Sequence, residues 1–161
     1  MAAKSAYEAT ALEIRELFSD YLENGFSEND GDRPAVALGN RPPSATARNA
    51  IVKSLEAFGY GTDACTFISL TPVDEQEEGG DLPLDAQALF LLVEGLDPLH
   101  VIACDATATA ALAEAYRTNF RTDAPIRVFG RSSAAFADLD ELLATPAGKQ
   151  TAWRVLKALK G

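Results

Sequence analysis

The sequence predicts an α/β fold, a three-layer α/β/α arrangement in which a four-stranded, mainly parallel sheet lies between helices. Two observations support this prediction. Short apolar runs of strand length alternate with longer segments whose apolar residues recur at helical spacing. Each predicted strand also leads through a polar turn into a helix, and such crossovers join parallel strands and cover both faces of a sheet. The 161 residues are predicted to form one domain, 1–161, whose residues 1–30 are an N-terminal helix and loop.

The first half of the chain contains a helix and then two predicted strand–helix units. A capping-box pattern followed by apolar residues at helical spacing predicts a helix over 6–23. The apolar runs 35–39 and 64–70 are predicted to be buried parallel strands. An amphipathic helix follows each of them, the first ending at Gly59 and the second near Gly95.

The second half repeats this unit and closes with a helix. Residues 99–104 are the third predicted strand, and Asp105 is placed to cap the helix that follows. Residues 125–129 are the fourth predicted strand. The last helix is predicted to begin after Thr145 as its N-cap and to turn Trp153 toward the core.

The charge of the chain disfavours some partners. The formal net charge is -10, whereas a protein that grips a phosphate backbone normally gathers Lys and Arg on its surface. Nucleic-acid binding is therefore disfavoured but not excluded, and a small-molecule nucleotide or base is compatible with the sequence. Arginines that could form a local positive patch occur in two groups: Arg33, Arg41 and Arg48, then Arg117, Arg121, Arg127 and Arg131.

Compartment and cofactors are predicted from what the sequence lacks. There is no apolar run of the roughly 20 residues that would span a bilayer, and the N-terminus has no basic region followed by an apolar run. These features predict a soluble, cytoplasmic protein without a membrane partner. Cys65 and Cys104 lie inside apolar runs, which predicts buried reduced thiols rather than a disulfide or a metal site.

The segment VALGNRPPSATAR, residues 36–48, is the first candidate site. In one interpretation Gly39 permits a turn, the prolines stiffen it and Ser44 caps the next helix. In the other, Arg41 lies beside a helix N-terminus and helps to hold a phosphate or carboxylate. Ligands of parallel α/β sheets bind at the carboxyl ends of the strands, here predicted at 39–43, 69–72, 105–107 and 130–133.

Other residues that could carry chemistry have simpler interpretations. Asp105 is better explained as an N-cap than as a catalytic carboxylate. His100 begins its strand, remote from the expected site, and is interpreted as structural or exposed. A nucleophilic role for Cys104 is disfavoured because the sequence assures no cationic neighbour. Phe129 and Phe136 could stack on a base, although core packing is the favoured interpretation.

Several segments, in this order, are similar to those of a known enzyme family. GNRPP at 39–43 stands where that family has a Gly-Glu-Ala-Pro-Gly type of loop. DPLHVIACDATATAAL at 97–112 resembles a strand that enters a helix through Ala-Thr-Ala, and GRS at 130–132 falls at a His-Pro-Ser motif. LATPAGKQTAWRVLKAL at 143–159 resembles a closing helix. The sequence thus resembles the uracil-DNA glycosylase superfamily, particularly its bacterial and archaeal branches, which implies a uracil-DNA glycosylase-like fold.

The resemblance implies roles at matching positions. The residue that helps to position the attacking water corresponds to Asn40 or Arg41. The residue that reads the edge of uracil corresponds to Ser69. The histidine that stabilises charge on the departing uracil corresponds to Gly130 or Arg131.

These positions depart from the family pattern in ways that oppose its activity. Asn40 can orient a water but cannot accept a proton as a carboxylate does. Pro43 stands at the glycine that admits the flipped base, and it carries a ring and lacks an N–H. The four iron–sulfur cysteines of some branches are absent, so no cofactor is expected.

Three hypotheses follow. The first is a uracil-DNA glycosylase-like protein without base excision that keeps a binding or regulatory role. The second is an active DNA glycosylase in which Asn40 orients water and Arg131 replaces the histidine. The third is a nucleotide- or phosphate-binding domain. The predicted binding residues, with no metal ligand among them, are Gly39, Asn40, Arg41, Pro42, Ser44, Ser69, Asp105, Gly130, Arg131 and Ser132.

Overall fold

The structure, a computed structural model, describes residues 18–22, 33–71 and 83–160. Strands in these ranges are β1 (Ala35–Gly39), β2 (Cys65–Ser69), β3 (His100–Ala103), β4 (Ala124–Val128) and β5 (Arg131–Ala135). The α-helices are α1 (Ala45–Ala57), α2 (Ala86–Leu96), α3 (Ala106–Ala115), α4 (Leu139–Leu143) and α5 (Pro146–Lys157).

The described strands form one mostly parallel sheet with the order β2-β1-β3-β5-β4. β2, β1, β3 and β5 are parallel, and β4 runs antiparallel to β5 at one edge. Helices flank the sheet on both faces, because side chains of alternate strand residues enter two separate apolar clusters. The predicted α/β class is therefore confirmed.

The predicted number of strands is wrong, since the sheet has five strands rather than four. The segment predicted over 125–129 is a strand, but it is the antiparallel edge strand. Phe129 and Gly130 then form a two-residue hairpin turn in which both residues have positive φ. The chain reverses there and continues as β5, whose first residues were predicted to lie at the carboxyl end of the fourth strand.

The two apolar clusters place the helices. On one face, α2 and α3 cover β1, β2 and β3 through residues such as Leu89, Leu92 and Leu112. On the other face, α1, α4 and α5 cover the sheet through residues such as Ile51 and Leu156. Ligands of parallel α/β sheets bind at the carboxyl ends of the strands, and the loops there are described next.

Polar side chains fix where the helices begin. The side chains of Ser44, Asp85, Asp105 and Thr145 each accept a hydrogen bond from a backbone N–H in the first turn. The predicted N-caps Ser44, Asp105 and Thr145 are confirmed.

Two aromatic residues that were predicted to be core are exposed, namely Trp153 and Phe129. The buried face of α5 is formed by Ala152, Val155 and Leu156, and Trp153 lies beside that face rather than on it. Phe136, by contrast, is fully buried.

The helix predicted over 6–23 lies largely outside the described residues. Its described part, Ser19–Tyr21, is a 3-10 turn, and Leu22 then forms an antiparallel bridge with Ile68. Leu22 thereby pairs with the outer edge of β2 at this one position. Within the described ranges, no helix has the length and apolar character needed to cross a membrane.

Candidate functional site

A cleft of about 250 Å³ opens at the carboxyl ends of β1 and β3. One wall is the loop that follows β1, Gly39 to Pro43, and the opposite wall is the segment that follows β5, Asp138 to Asp140. Its floor is apolar and includes Ala37 and Phe67. Asp105 lies between the two walls. The volume is somewhat below the roughly 300–1,000 Å³ of pockets for drug-sized ligands, which suits a smaller molecule.

The loop after β1 is held in place through its backbone. The carbonyl of Gly39 accepts a bond from Leu70 N at 2.8 Å, and the carbonyl of Asn40 accepts one from the Thr71 hydroxyl at 2.7 Å. A Cβ added to Gly39 would lie 2.8 Å from the carbonyl oxygen of Arg41, which is closer than Cβ atoms come to other heavy atoms in proteins. The turn therefore needs glycine at position 39 because the chain folds back onto it.

Asp105 links this loop to helix α3. Its Oδ1 accepts a hydrogen bond from Ala108 N at 2.7 Å, and its Oδ2 accepts one from Asn40 N at 2.9 Å. Both oxygens of the Asp105 carboxylate thus accept hydrogen bonds from backbone N–H groups. Asp105 therefore has two roles, since it caps α3 and positions the loop from a place that also faces the cleft.

The second wall is tied to the first. Asp138 caps α4 by accepting from Glu141 N at 3.1 Å, and its backbone bridges that of Asp105. The Ser44 hydroxyl donates to Oδ1 of Asp140, so the N-terminus of α1 is joined to α4 across the cleft. These contacts preorganise the cleft walls without a ligand.

The structure brings part of the predicted site together. Gly39, Asn40, Arg41, Pro42 and Asp105 all line the cleft. Among the described residues, none forms a hydrogen bond with the side-chain amide of Asn40, which leaves that amide able to bind a ligand.

Two further predicted residues, Ser69 and Ser44, contact the walls of the cleft without lining it. Ser69 is buried, and its hydroxyl lies 3.4 Å from the carbonyl oxygen of Asn40. Ser44 caps α1 and binds Asp140, as described above. Both shape the cleft without lining it.

Gly130, Arg131 and Ser132 were predicted at the carboxyl end of a strand, and that placement is wrong. They lie at the start of β5, which runs parallel to β3, so they are at the opposite end of the sheet from Asn40. Arg41 and Arg131 therefore do not converge on one site. The hairpin turn at Phe129–Gly130 is the cause, because it makes this segment the beginning of a parallel strand rather than its end.

His100 lies at the same remote end, as predicted. Its Nδ1 lies 2.8 Å from the carbonyl oxygen of Ser132 and its Nε2 lies 3.1 Å from the Tyr60 hydroxyl. A carbonyl can only accept, so Nδ1 donates to Ser132, and in the neutral imidazole Nε2 then accepts from the Tyr60 hydroxyl. Both ring nitrogens of this buried histidine are thus satisfied within the fold.

Asp138 and Asp140 in the second wall were not predicted from the sequence. A signal for them is the short apolar run 134–137, which is followed by Asp138 with Glu141 three residues later. That pattern indicates a strand leading into a capped helix, and hence a carboxyl end of the sheet.

Cys104 lines the cleft but is not suited to nucleophilic attack. Burial raises the pKa of its thiol to about 12, with the negative charges of Asp105 and Asp140 adding to the effect. Burial likewise raises the pKa of the Cys65 thiol, and proximity to Cys104 adds to the effect. Thiols react as thiolates, so both are held in their inert form at neutral pH.

We expect these thiols to react with a disulfide reagent at pH 8 roughly a hundredfold or more slowly in the folded protein than in the urea-unfolded chain. The folded state holds the thiol protons to a higher pH than the unfolded state, so stability should fall as pH rises above 9.0, the ordinary thiol pKa. Absorbance at pH 8 measures the rates, and Cys104→Ser separates the two thiols. Equal rates in the folded and unfolded protein would contradict this burial.

The charge in the cleft is predominantly acidic. Its lining contains three aspartates, Asp105, Asp138 and Asp140, and one arginine, Arg41. Among the described residues, no group of three His, Cys, Asp or Glu side chains is arranged to hold a metal ion. The cleft thus combines an apolar floor, the Asn40 amide and carboxylates, a set suited to a small molecule that donates hydrogen bonds.

The structure shows an α/β protein with a mostly parallel sheet and a cleft at the carboxyl ends of its strands. Comparison with models of known protein families found no match, and no curated protein is similar in sequence.

Proposed function

We propose that this protein is a uracil-DNA glycosylase-like α/β domain that binds a small ring compound with hydrogen-bond donors, such as a nucleobase, without excising bases from DNA. The observation that carries the proposal is the cleft itself, in which the Asn40 amide and the Asp105 carboxylate stand over an apolar floor. Apolar walls with a few polar groups are typical of sites for small heterocycles.

The charge of the cleft favours a neutral or cationic ligand over a phosphate. Three aspartates against one arginine would repel a phosphate group, and the chain as a whole carries a net charge of -10. The hypothesis of a phosphate-binding domain is therefore less well supported than that of a base-binding domain.

The position of Arg131 argues against base excision. The active-glycosylase hypothesis needs a cation beside the departing base, and Arg131 is at the opposite end of the sheet, paired with Glu94 and Asp97. One observation still favours hydrolysis as a second candidate function. Asp105 is a carboxylate in the cleft, next to Asn40, and could act on a water.

We expect Asn40→Ala to weaken binding of a free nucleobase by about tenfold, the effect of removing one or two hydrogen bonds to a ligand. Calorimetric titration of uracil, cytosine, adenine and inorganic phosphate against the purified protein measures the affinities. Asn49→Ala is the matched control, because Asn49 is an exposed asparagine on α1 outside the cleft. Tighter binding of phosphate than of any base would contradict the proposal.

The same preparation tests the second candidate function. Single- and double-stranded oligonucleotides containing uracil are incubated with the wild-type protein and with Asp105→Asn, and abasic sites are revealed by alkali. Asparagine preserves the cap of α3 while removing the carboxylate, and its amide nitrogen no longer accepts the bond from Asn40 N. We expect no release by either protein. Release by the wild type that Asp105→Asn abolishes would establish hydrolysis in place of simple binding.

A further inference from the structure

The described part of the chain has a second exposed surface, at the end of the sheet opposite the cleft. Four large hydrophobic side chains are exposed among the described residues, and three of them, Tyr60, Leu99 and Phe129, line one groove of about 500 Å³. Phe129 is 61% exposed and Leu99 is 58% exposed. We call this the Phe129 groove. Exposed apolar side chains that lie together in one patch, rather than singly, are typical of surfaces that bind other molecules.

Phe129 has an unfavourable backbone conformation for its residue type. Its φ is 49°, and that of Gly130 is 81°, as a type I′ hairpin turn requires. A bulky side chain is rare in this left-handed region, where asparagine and glycine are preferred. The turn therefore does not require a phenylalanine, and its presence needs another explanation.

The Phe129 ring is supported but not covered. It lies edge-on to Tyr116, with ring centroids 4.8 Å apart, and edge-on to Phe90 at 5.6 Å. These contacts fix the orientation of the ring while most of its surface stays exposed to solvent. A rigid, exposed aromatic side chain loses little entropy on association, as interface anchors do.

The polar groups of the groove are largely satisfied within the fold. Arg131 donates to Glu94, Asp97 and the carbonyl of Pro98, and His100 is bonded at both ring nitrogens. A partner covering the groove would therefore bury few unpaired polar atoms.

The charge of the groove favours a second copy of this chain as the partner. Its lining has one exposed acid, Asp97, and one base, Arg131, whereas the whole chain carries -10. Two copies approaching through an acidic region such as the cleft would repel each other, and this locally balanced surface avoids that cost. The hairpin also carries Arg127, whose side chain is exposed. In a symmetric contact this arginine can pair with an acidic residue of the other copy.

We propose that the Phe129 groove is the interface through which two copies of this chain form a symmetric dimer. The contact is made by side chains and not by extension of the sheet, because Pro125 leaves a gap in the donors of the edge strand β4. The two clefts stay open, since they lie at the other end of each sheet.

Phe129→Asn is the test variant. It removes the ring and creates Asn-Gly, the preferred sequence for this turn, so the hairpin should fold at least as well as in the wild type. We expect a dimer for the wild type and a roughly thirtyfold weaker association for Phe129→Asn. Sedimentation velocity from micromolar to millimolar protein measures the association, with circular dichroism to verify folding. Trp153→Ser is the control, because Trp153 is the exposed hydrophobic residue that lies outside the groove.

A wild-type dimer that weakens in Phe129→Asn and Leu99→Ser but persists in Trp153→Ser supports the proposal. A monomeric wild type throughout this range overturns it and leaves the groove for a different partner. A dimer that Phe129→Asn leaves intact also overturns it, since the interface would then be elsewhere.

Discussion

Replacing Gly148 with alanine is expected to lower the free energy of unfolding by about 3 kcal/mol, at the upper end of overpacking effects. Gly148 is buried in the first turn of α5, where the helix crosses the C-terminal part of α4. A Cβ at this position would lie 1.9 Å from the carbonyl oxygen of Leu142 and 2.7 Å from its carbonyl carbon. The clash is with backbone and cannot be relieved by a change of rotamer, so α4 and α5 must move apart.

The sign of this effect is opposite to that predicted by helix propensity. Alanine in a helix is more favourable than glycine by up to about 1 kcal/mol, so an unobstructed site would be stabilised. Urea denaturation of Gly148→Ala measures the difference. Gln150→Ala, at an exposed position of the same helix, is the control and should stay within about 0.5 kcal/mol of wild type. A Gly148→Ala protein as stable as the wild type would show that the helices are not packed this closely.

Arg131→Met is expected to destabilise the protein by about 3 kcal/mol, as removal of one partner from a buried ion pair does. The Arg131 side chain is 13% exposed and its partner Glu94 is 9% exposed, with 2.7 Å between Nη1 and Oε2. Burial alone would lower the pKa of Arg131, but the hydrogen bonds to Glu94 and Asp97 outweigh this effect and raise it. Arg131 thus stays charged across the working pH range, and its loss leaves Glu94 without its cation.

Two further variants isolate this cause. Adding Glu94→Gln to Arg131→Met should recover part of the stability, because a neutral amide replaces the uncompensated carboxylate. Arg127→Met removes an exposed arginine from the neighbouring strand of the hairpin and should have little effect. If Arg131→Met and Arg127→Met proved equally mild in thermal or urea denaturation, the pair with Glu94 would not stabilise the fold.

The first wall of the candidate site was predictable because it depends on local sequence. The strand 35–39 ends at a glycine and is followed by prolines and a helix cap, and all of these signals occur within ten residues. Asp105 was predictable for the same reason, since an aspartate between an apolar strand and an alanine-rich helix is an N-cap. The bond from Asn40 N to Asp105 joins residues 65 positions apart and has no local signal.

The second wall was not predictable from the same signals because one turn was missed. Phe129 adopts a left-handed conformation that its residue type does not indicate, so residue preferences at the turn itself do not predict the reversal of the chain. That reversal adds β5 to the sheet, moves Arg131 to the amino ends of the strands and brings Asp138 and Asp140 to the cleft.

The sequence by itself determined the α/β class, the limits of most helices and strands, and the loop at Gly39. Periodicity and capping express short-range preferences of the backbone, which the local residues set. Only the tertiary structure decided which strand ends meet, which of Arg41 and Arg131 faces the cleft, and that Phe129 is exposed. These outcomes depend on the direction of each strand in the sheet, and one turn can reverse that direction without changing the apolar pattern on either side of it.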